Sequence, residues 1–176
     1  SEHCCESGSF LFFMEPFETF TQALGISPEK ADMLFRSVDS MYSIKRIPKK
    51  SGGERELNIP KYNLKLVQKM IYRYLSGKFQ LPSCAHGGIV GKSIITNAKV
   101  HSHKEFVANY DLKDFFPSVH PVKIERALRK HSDFSLETRR WLVRLVTYEN
   151  QLPQGAPTSP FFANLVAYVM DMRIKK

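Results

Sequence analysis

The run Phe106-Val107-Ala108-Asn109-Tyr110 is rich in β-branched and aromatic residues, reads as a strand, and ends on an acid, Asp111. Asp114 follows three residues later, then Phe115, Phe116 and Pro117, and the proline is expected to end the strand. A carboxylate at the tip of a buried strand costs free energy unless it is paired or binds a cation. The stretch therefore either holds a metal ion or is a plain strand-to-turn exit. The first arrangement is the one nucleotidyl transfer needs, with a carboxylate clamping Mg²⁺ against a triphosphate. Taken alone, the stretch leaves both open.

The charge distribution narrows the choice of partner. The net charge of the 176-residue chain is +9. Residues 1–40 carry two basic and seven acidic side chains, a net of −5. Residues 41–80 carry ten basic and two acidic, a net of +8, and residues 121–176 carry ten and five, a net of +5. An acidic leader before a strongly basic block argues for a polyanionic partner, against the alternative of a solvated basic face. No apolar run reaches the ~20 residues of a membrane span, and Phe10-Leu11-Phe12-Phe13 lacks the basic flank of a signal peptide. Cys4, Cys5 and Cys84 are an odd set with two adjacent, which suggests a reducing compartment and no disulfide framework. His3-Cys4-Cys5 lacks metal-site spacing.

Along the chain, Pro16 to Leu24 and Pro28 to about Asp39 read as helices, the second capped by Ser27, with Met33, Leu34 and Val38 expected inside. Two alternating segments, 42–50 and 54–60, flank Gly52-Gly53 and predict a β-hairpin with Lys49, Lys50 and Arg55 at its tip. Such a tip could fold over phosphates or be merely solubilising. Lys61 to Lys78 reads as a long helix with a buried stripe of Leu64, Val67, Ile71, Tyr74 and Leu75. Lys61, Lys65, Lys69 and Arg73 recur beside it as a basic ridge suited to a nucleic-acid backbone. Residues 84–92 read as a loop. Its glycines are mis-spaced for a phosphate loop, because three residues rather than four separate Gly87 from Gly91-Lys92-Ser93. Ser93 caps a short helix through His101. Two further helices, from Pro121 to Lys130 and from Ser135 to about Tyr148, are basic, the second with Arg139, Arg140 and Arg144 facing out. The turn-rich 150–160 loop, bearing Gln154 and Gly155, feeds an apolar helix from about Ser159 to Lys175.

Three of these segments carry a family resemblance. Ile47 to Arg55, Tyr110 to Phe116, and Gln154-Gly155-Ala156-Pro157-Thr158-Ser159-Pro160 occur in the order of the fingers, motif A and motif B of a bacterial reverse transcriptase. Asn97-Ala98-Lys99-Val100-His101 resembles the N-A-x-x-H element of the retron type. The resemblance, to retron-type and group II intron-like enzymes, covers about residues 40–175.

It implies an α+β fold: right-hand polymerase fingers and the first half of the palm, incomplete, with N-terminal helices. The implied division is a leader over 1–40, fingers over 41–104 and a partial palm over 105–176. Asp111 would be the first catalytic carboxylate, bridging two Mg²⁺ ions, and the Leu112 carbonyl would coordinate one of them. Lys49 or Lys50, with Arg55, would clamp the triphosphate. Asp114, through its backbone, and Phe115 would lie beside the nucleotide. Phe116 would stack under the sugar as the gate that excludes a 2′-hydroxyl, and Gln154 would contact the nucleotide. Gly155, Ala156 and Pro157 would line the template, and Lys65, Lys69, Arg73, Asn97 and His101 would contact RNA. The implied partners are dNTPs, the DNA product and a cognate structured non-coding RNA serving as template and primer, in the bacterial cytoplasm. A role in phage defence with an effector protein is also implied.

One departure stands out. The family's Tyr-x-Asp-Asp motif is absent, and no Asp-Asp pair occurs in the sequence. One metal-binding aspartate leaves two Mg²⁺ ions short of ligands. The expectation is that this chain alone is inactive, that a missing segment or a second chain supplies the remaining palm and thumb, and that an apolar palm face lies exposed. An RNA-dependent RNA polymerase is disfavoured because Phe116 stands where that class places an acid. A non-catalytic module binding RNA or a partner protein is the alternative, though it would leave an intact motif A without a role.

Overall fold

The computed structural model describes residues 14–48 and 52–174. Lys49, Lys50 and the His3-Cys4-Cys5 group lie outside them. Helix α1 (Phe17–Ala23) leads to α2 (Pro28–Ser37), where the Ser27 side chain accepts the Lys30 N–H and Pro28 occupies the first turn. A 3-10 turn at Val38–Met41 delivers the chain to β1 (Tyr42–Pro48), which pairs antiparallel with β2 (Glu54–Pro60). The register runs from Tyr42 opposite Pro60 to Pro48 opposite Glu54, so the expected hairpin is present. There follow α3 (Tyr62–Lys78), α4 (Ile94–His101), the single turn α5 (Phe115–Ser118), α6 (Pro121–His131), α7 (Leu136–Val146) and α8 (Ser159–Ile174). Ser93 and Ser135 cap α4 and α7 by accepting the Thr96 and Thr138 N–H groups.

One cluster of buried side chains joins six of these helices. Phe20, Leu34, Ile71, Ile124, Leu142 and Phe161, one from each of α1, α2, α3, α6, α7 and α8, are at most 1% exposed. Each contributes roughly 1.5–3 kcal/mol of apolar transfer free energy. Trp141 adds a polar tie, donating its indole N–H to the Ala31 carbonyl at 3.0 Å. No helix of the described residues is long and apolar enough to cross a membrane.

The structure corrects several expectations. Residues 106–110 form no strand; Phe106 and Tyr110 are 86% and 93% exposed. A strand exists only by exchanging backbone hydrogen bonds with a neighbour. The only sheet among the described residues is the β1–β2 hairpin, and it does not reach this run. Pro117 therefore ends no strand. It sits inside α5, whose N-cap Asp114 is left-handed at φ 48°. Met33 is 53% exposed, because α2 buries Ala31 and Leu34 instead. Tyr74 is half-buried, with its hydroxyl donating to Glu15 at 2.5 Å. Of the three α7 arginines only Arg140 is exposed; the other two are half-buried. Arg139 pairs with Glu125 at 3.1 Å, and Arg144 grips both Asp39 oxygens at 2.8 and 2.7 Å.

The 79–92 loop is seated on the start of α8. Tyr72 Oη donates to the Gly88 carbonyl at 3.0 Å, and Asn164 Nδ2 donates to the Gly87 carbonyl at 2.7 Å. Gly88 is left-handed at φ +66°, and a Cβ there would stand 2.3 Å from Pro160 Cβ. Gly88→Ala should therefore lose about 2 kcal/mol or more of unfolding free energy, from strain plus the clash. Urea denaturation checks this; an unchanged midpoint would show that the loop is not seated there.

Candidate active site

A cleft of about 900 Å³ opens between β2, the 110–117 segment and the 151–160 loop. Each wall has its own local logic. On β2, Arg55 and Asn58 reach the cleft. Asn58 is 4% exposed, and its Oδ1 has no hydrogen-bond partner among the described residues. The second wall is the irregular segment from Tyr110 to Leu112 followed by α5. Here the left-handed Asp114 turns the chain so that Phe115 and Phe116 stand edge to face, centroids 6.3 Å apart.

The third wall is built from a tight turn. Tyr148 and Gln151 exchange both backbone hydrogen bonds, at 3.0 and 3.1 Å, around Glu149 (φ 49°) and Asn150 (φ 59°). Two successive left-handed residues match the twist of a two-residue hairpin turn. Beyond it, Ser159 Oγ donates to the Pro153 carbonyl at 2.7 Å, which folds the loop back onto the first turn of α8. Gly155 sits at φ +115°, and a Cβ there would stand 3.5 Å from Ile59 Cγ1 and 3.6 Å from the Asn58 carbonyl. The glycine thus brings the loop backbone against β2.

Nine residues expected at the site line this one cleft: Arg55, Asp111, Leu112, Asp114, Phe115, Phe116, Gln154, Gly155 and Ala156. They come from three segments separated by some fifty and some forty residues of chain. Pro157 is half-buried beside the cleft without lining it. Lys65, Lys69 and Arg73 form an exposed ridge on α3, and Asn97 and His101 are exposed on α4; none of them lines the cleft. The cleft also contains Asn58 and Gln151, which lie outside the motif segments, and Glu54, Tyr110 and Ser159, which lie within them but were given no role. Strand alternation offered a signal for Asn58, because it shares a face of β2 with Glu54 and Glu56.

Asp111 is exposed and is the candidate metal ligand. No group of three or more His, Cys, Asp or Glu placed to hold a metal ion occurs among the described residues. Glu54, Glu56 and Asp114 also line the cleft but are not grouped with Asp111 to hold an ion, so the residues present do not by themselves fit the metal pair that the family uses.

With the geometry in hand, comparison with known proteins defines the class. Residues 47–176 match the family of reverse transcriptases, described as RNA-dependent DNA polymerases. The chain belongs to that family, and the family implies the polymerase fold, of which the helices and small sheet here are consistent with a part. Its similar relatives include several retron reverse transcriptases. It is 33% identical to the retron Mx162 reverse transcriptase of Myxococcus xanthus, over 92% of this chain and 38% of that protein. It is 33% identical to the retron Ec86 reverse transcriptase of Escherichia coli, over 92% of this chain and 51% of that protein. It is 31% identical to the retron Se72 reverse transcriptase of Salmonella heidelberg, over 86% of this chain and 40% of that protein. The chain thus spans about two-fifths to half the length of these relatives.

Gly155→Ala should raise the energy of the loop by about 1–3 kcal/mol, because a side chain at that φ is strained even where space exists. Chemical denaturation of the variant checks the loss; full stability would mean that the loop relaxes away from β2.

Proposed function

We propose that this chain carries the nucleotide-binding part of an RNA-directed DNA polymerase of retron type. The observation that carries the proposal is the convergence of Arg55, Asp111, Phe116 and Gln154 on one cleft from three distant segments. Phosphoryl transfer depends chiefly on positioning and on neutralising charge. In this reading Arg55, with Lys49 or Lys50 of the hairpin, holds the triphosphate. Phe116 lies under the sugar and blocks a 2′-hydroxyl, and Phe115 and the Asp114 backbone shape the floor. Gln154 contacts the nucleotide, and Gly155, Ala156 and Pro157 give a flat surface for the template pair.

Asp111 supplies one carboxylate, and Leu112 a carbonyl, toward the Mg²⁺ ions that the reaction requires. The remaining ligands come from residues other than those described, so the isolated chain is proposed to be inactive. In the same reading residues 1–40 are a helical leader, 41–104 the fingers and 105–176 part of the palm. The α3 ridge, Asn97 and His101 contact a cognate structured RNA in the bacterial cytoplasm, within a phage-defence system that includes an effector. The missing carboxylates favour a second reading, a non-catalytic module that keeps the fold to bind RNA or protein.

Two substitutions in the full-length protein separate these readings. Asp111→Ala should reduce Mg²⁺-dependent cDNA synthesis to background; retained synthesis removes Asp111 from the site, and no synthesis by the unsubstituted protein favours the non-catalytic module. Phe116→Ala should lower the preference for dNTPs over rNTPs by about tenfold or more, as a lost steric contact with the sugar predicts. Primer extension with each nucleotide set reads this out, and unchanged discrimination would remove the gate.

A further inference from the structure

The α6 helix presents a cationic face that the cleft does not use. At about 100° per residue, Lys123, Arg126, Arg129 and Lys130 fall on one arc of roughly 120° centred on Arg126. That arc lies opposite the buried Ile124 and Leu128. All four cations are exposed, and so is Val122, which shares their arc at 67% exposure. The single acid of α6, Glu125, lies outside the arc and is taken by Arg139 of α7 at 3.1 Å. Arg126, Arg129 and Lys130 have no ion-pair partner among the described residues, and Lys123 donates only to the Ser118 carbonyl at 2.9 Å.

A merely solubilising face mixes both signs of charge. Four cations with no acid among them raise the local potential and call for a polyanion. The cations of the last turn, Arg129 and Lys130, also favour the helix dipole, but that accounts for neither Lys123 nor Arg126.

We propose that this face of α6 is a second nucleic-acid surface, which takes the phosphodiester backbone of a duplex outside the cleft. Its position supports a continuous path. Phe116 and Pro117 line the cleft, Lys123 is tied to the carbonyl of the next residue, Ser118, and α6 starts three residues beyond it. From Lys123 to Lys130 the helix rises about 10 Å, matching the axial span of about three phosphates of one duplex strand. The surface is distinct from the α3 ridge: α6 packs on α7 and α8, whereas α3 packs on α7 and the hairpin. It reads backbone and not sequence, because no amide or aromatic side chain accompanies the cations.

The test measures binding of fluorescent 20-base-pair duplexes, one of RNA and one of DNA, to the chain as a function of KCl concentration. The proposal rests on the chain handling nucleic acid. In the variant Lys123→Gln, Arg126→Gln, Arg129→Gln, Lys130→Gln, the slope of log K against log salt should become shallower by about 3 on the DNA duplex, at about 0.9 per phosphate contact. Arg126→Gln alone should remove about 0.9, which keeps the test valid if the fourfold variant unfolds. A change on both duplexes assigns the surface to the shared phosphate backbone, and a change on one names the duplex it prefers. An unchanged slope overturns the proposal while leaving the cleft assignments to the cDNA-synthesis assay. So does binding to phosphatidylserine vesicles that depends on these cations when duplex binding does not. If the unsubstituted chain binds neither duplex, this proposal falls, and the cleft reading is still judged by synthesis in the full-length protein.

Discussion

Gln68 is fully buried in the middle of α3, and its Nε2 donates at 2.8 Å both to the Tyr42 hydroxyl and to the Leu145 carbonyl. Two protons on one nitrogen thereby join the first residue of β1 to the last turn of α7. Burial holds the Tyr42 hydroxyl protonated well above its usual range, so the pair behaves as a neutral contact at any working pH. The Tyr42 ring also lies against Tyr148, with centroids 4.5 Å apart, at the entry of the turn that carries the third wall of the cleft. Losing such a buried amide would strand the groups it pairs, each at a cost of about 1–3 kcal/mol. The position of β2 relative to the 151–160 loop, and so of Arg55 relative to Gln154, depends on this joint.

The leader serves the same frame from the other side. The Glu15 N–H donates to the Asp133 carbonyl at 2.7 Å, and the Glu15 carbonyl accepts the Ser135 N–H at 3.0 Å, which fixes the α6–α7 connection. The Glu15 carboxylate takes the Tyr74 hydroxyl and the Lys78 ammonium, and Lys78 also meets Asp133 at 2.9 Å. Burial, with Glu15 beside it, pushes the Tyr74 hydroxyl up to about 12. A folded value above the ordinary tyrosine value of about 10 means that this contribution is intact below pH ~10 and fades as pH rises toward 12. The leader, for which the sequence offered no chemistry, thus ties α3 to the connection between α6 and α7.

Much of this was legible from residue types. Ser27, Ser93 and Ser135 announced three helix starts because a cap is a local hydrogen bond, and Gly52-Gly53 announced the hairpin because a tight turn is local backbone geometry. The cleft residues were legible as motifs, since their order along the chain survives however the chain folds. What escaped depends on distant partners. Gln68 is a polar residue on a helix face that turned out to be buried, and nothing local distinguishes it from a solvated amide. The left-handed pair Glu149-Asn150 lacks the glycine that usually marks such a turn. The Phe106–Tyr110 run has the composition of a strand, yet composition cannot supply the neighbouring strand that would pair it.

That last failure divides the site into two unlike halves. Arg55, Asn58 and Gln154 stand on elements tied down by a hairpin ladder, a two-residue turn and the glycine contacts at 88 and 155. Asp111 stands on a segment whose apolar side chains face solvent and whose backbone enters no ladder among the described residues. Val169, Met170, Met172 and Ile174 on the last turns of α8 are exposed as well. An unpaired, apolar, β-prone run of this kind is a template for another strand. In the proposed reading the Asp111 carboxylate takes its working position only when such a strand is added. In that reading the side of the cleft assigned to the triphosphate is held by paired backbone and the side assigned to the metal is not, and a metal ligand is only as well placed as the sheet beneath it.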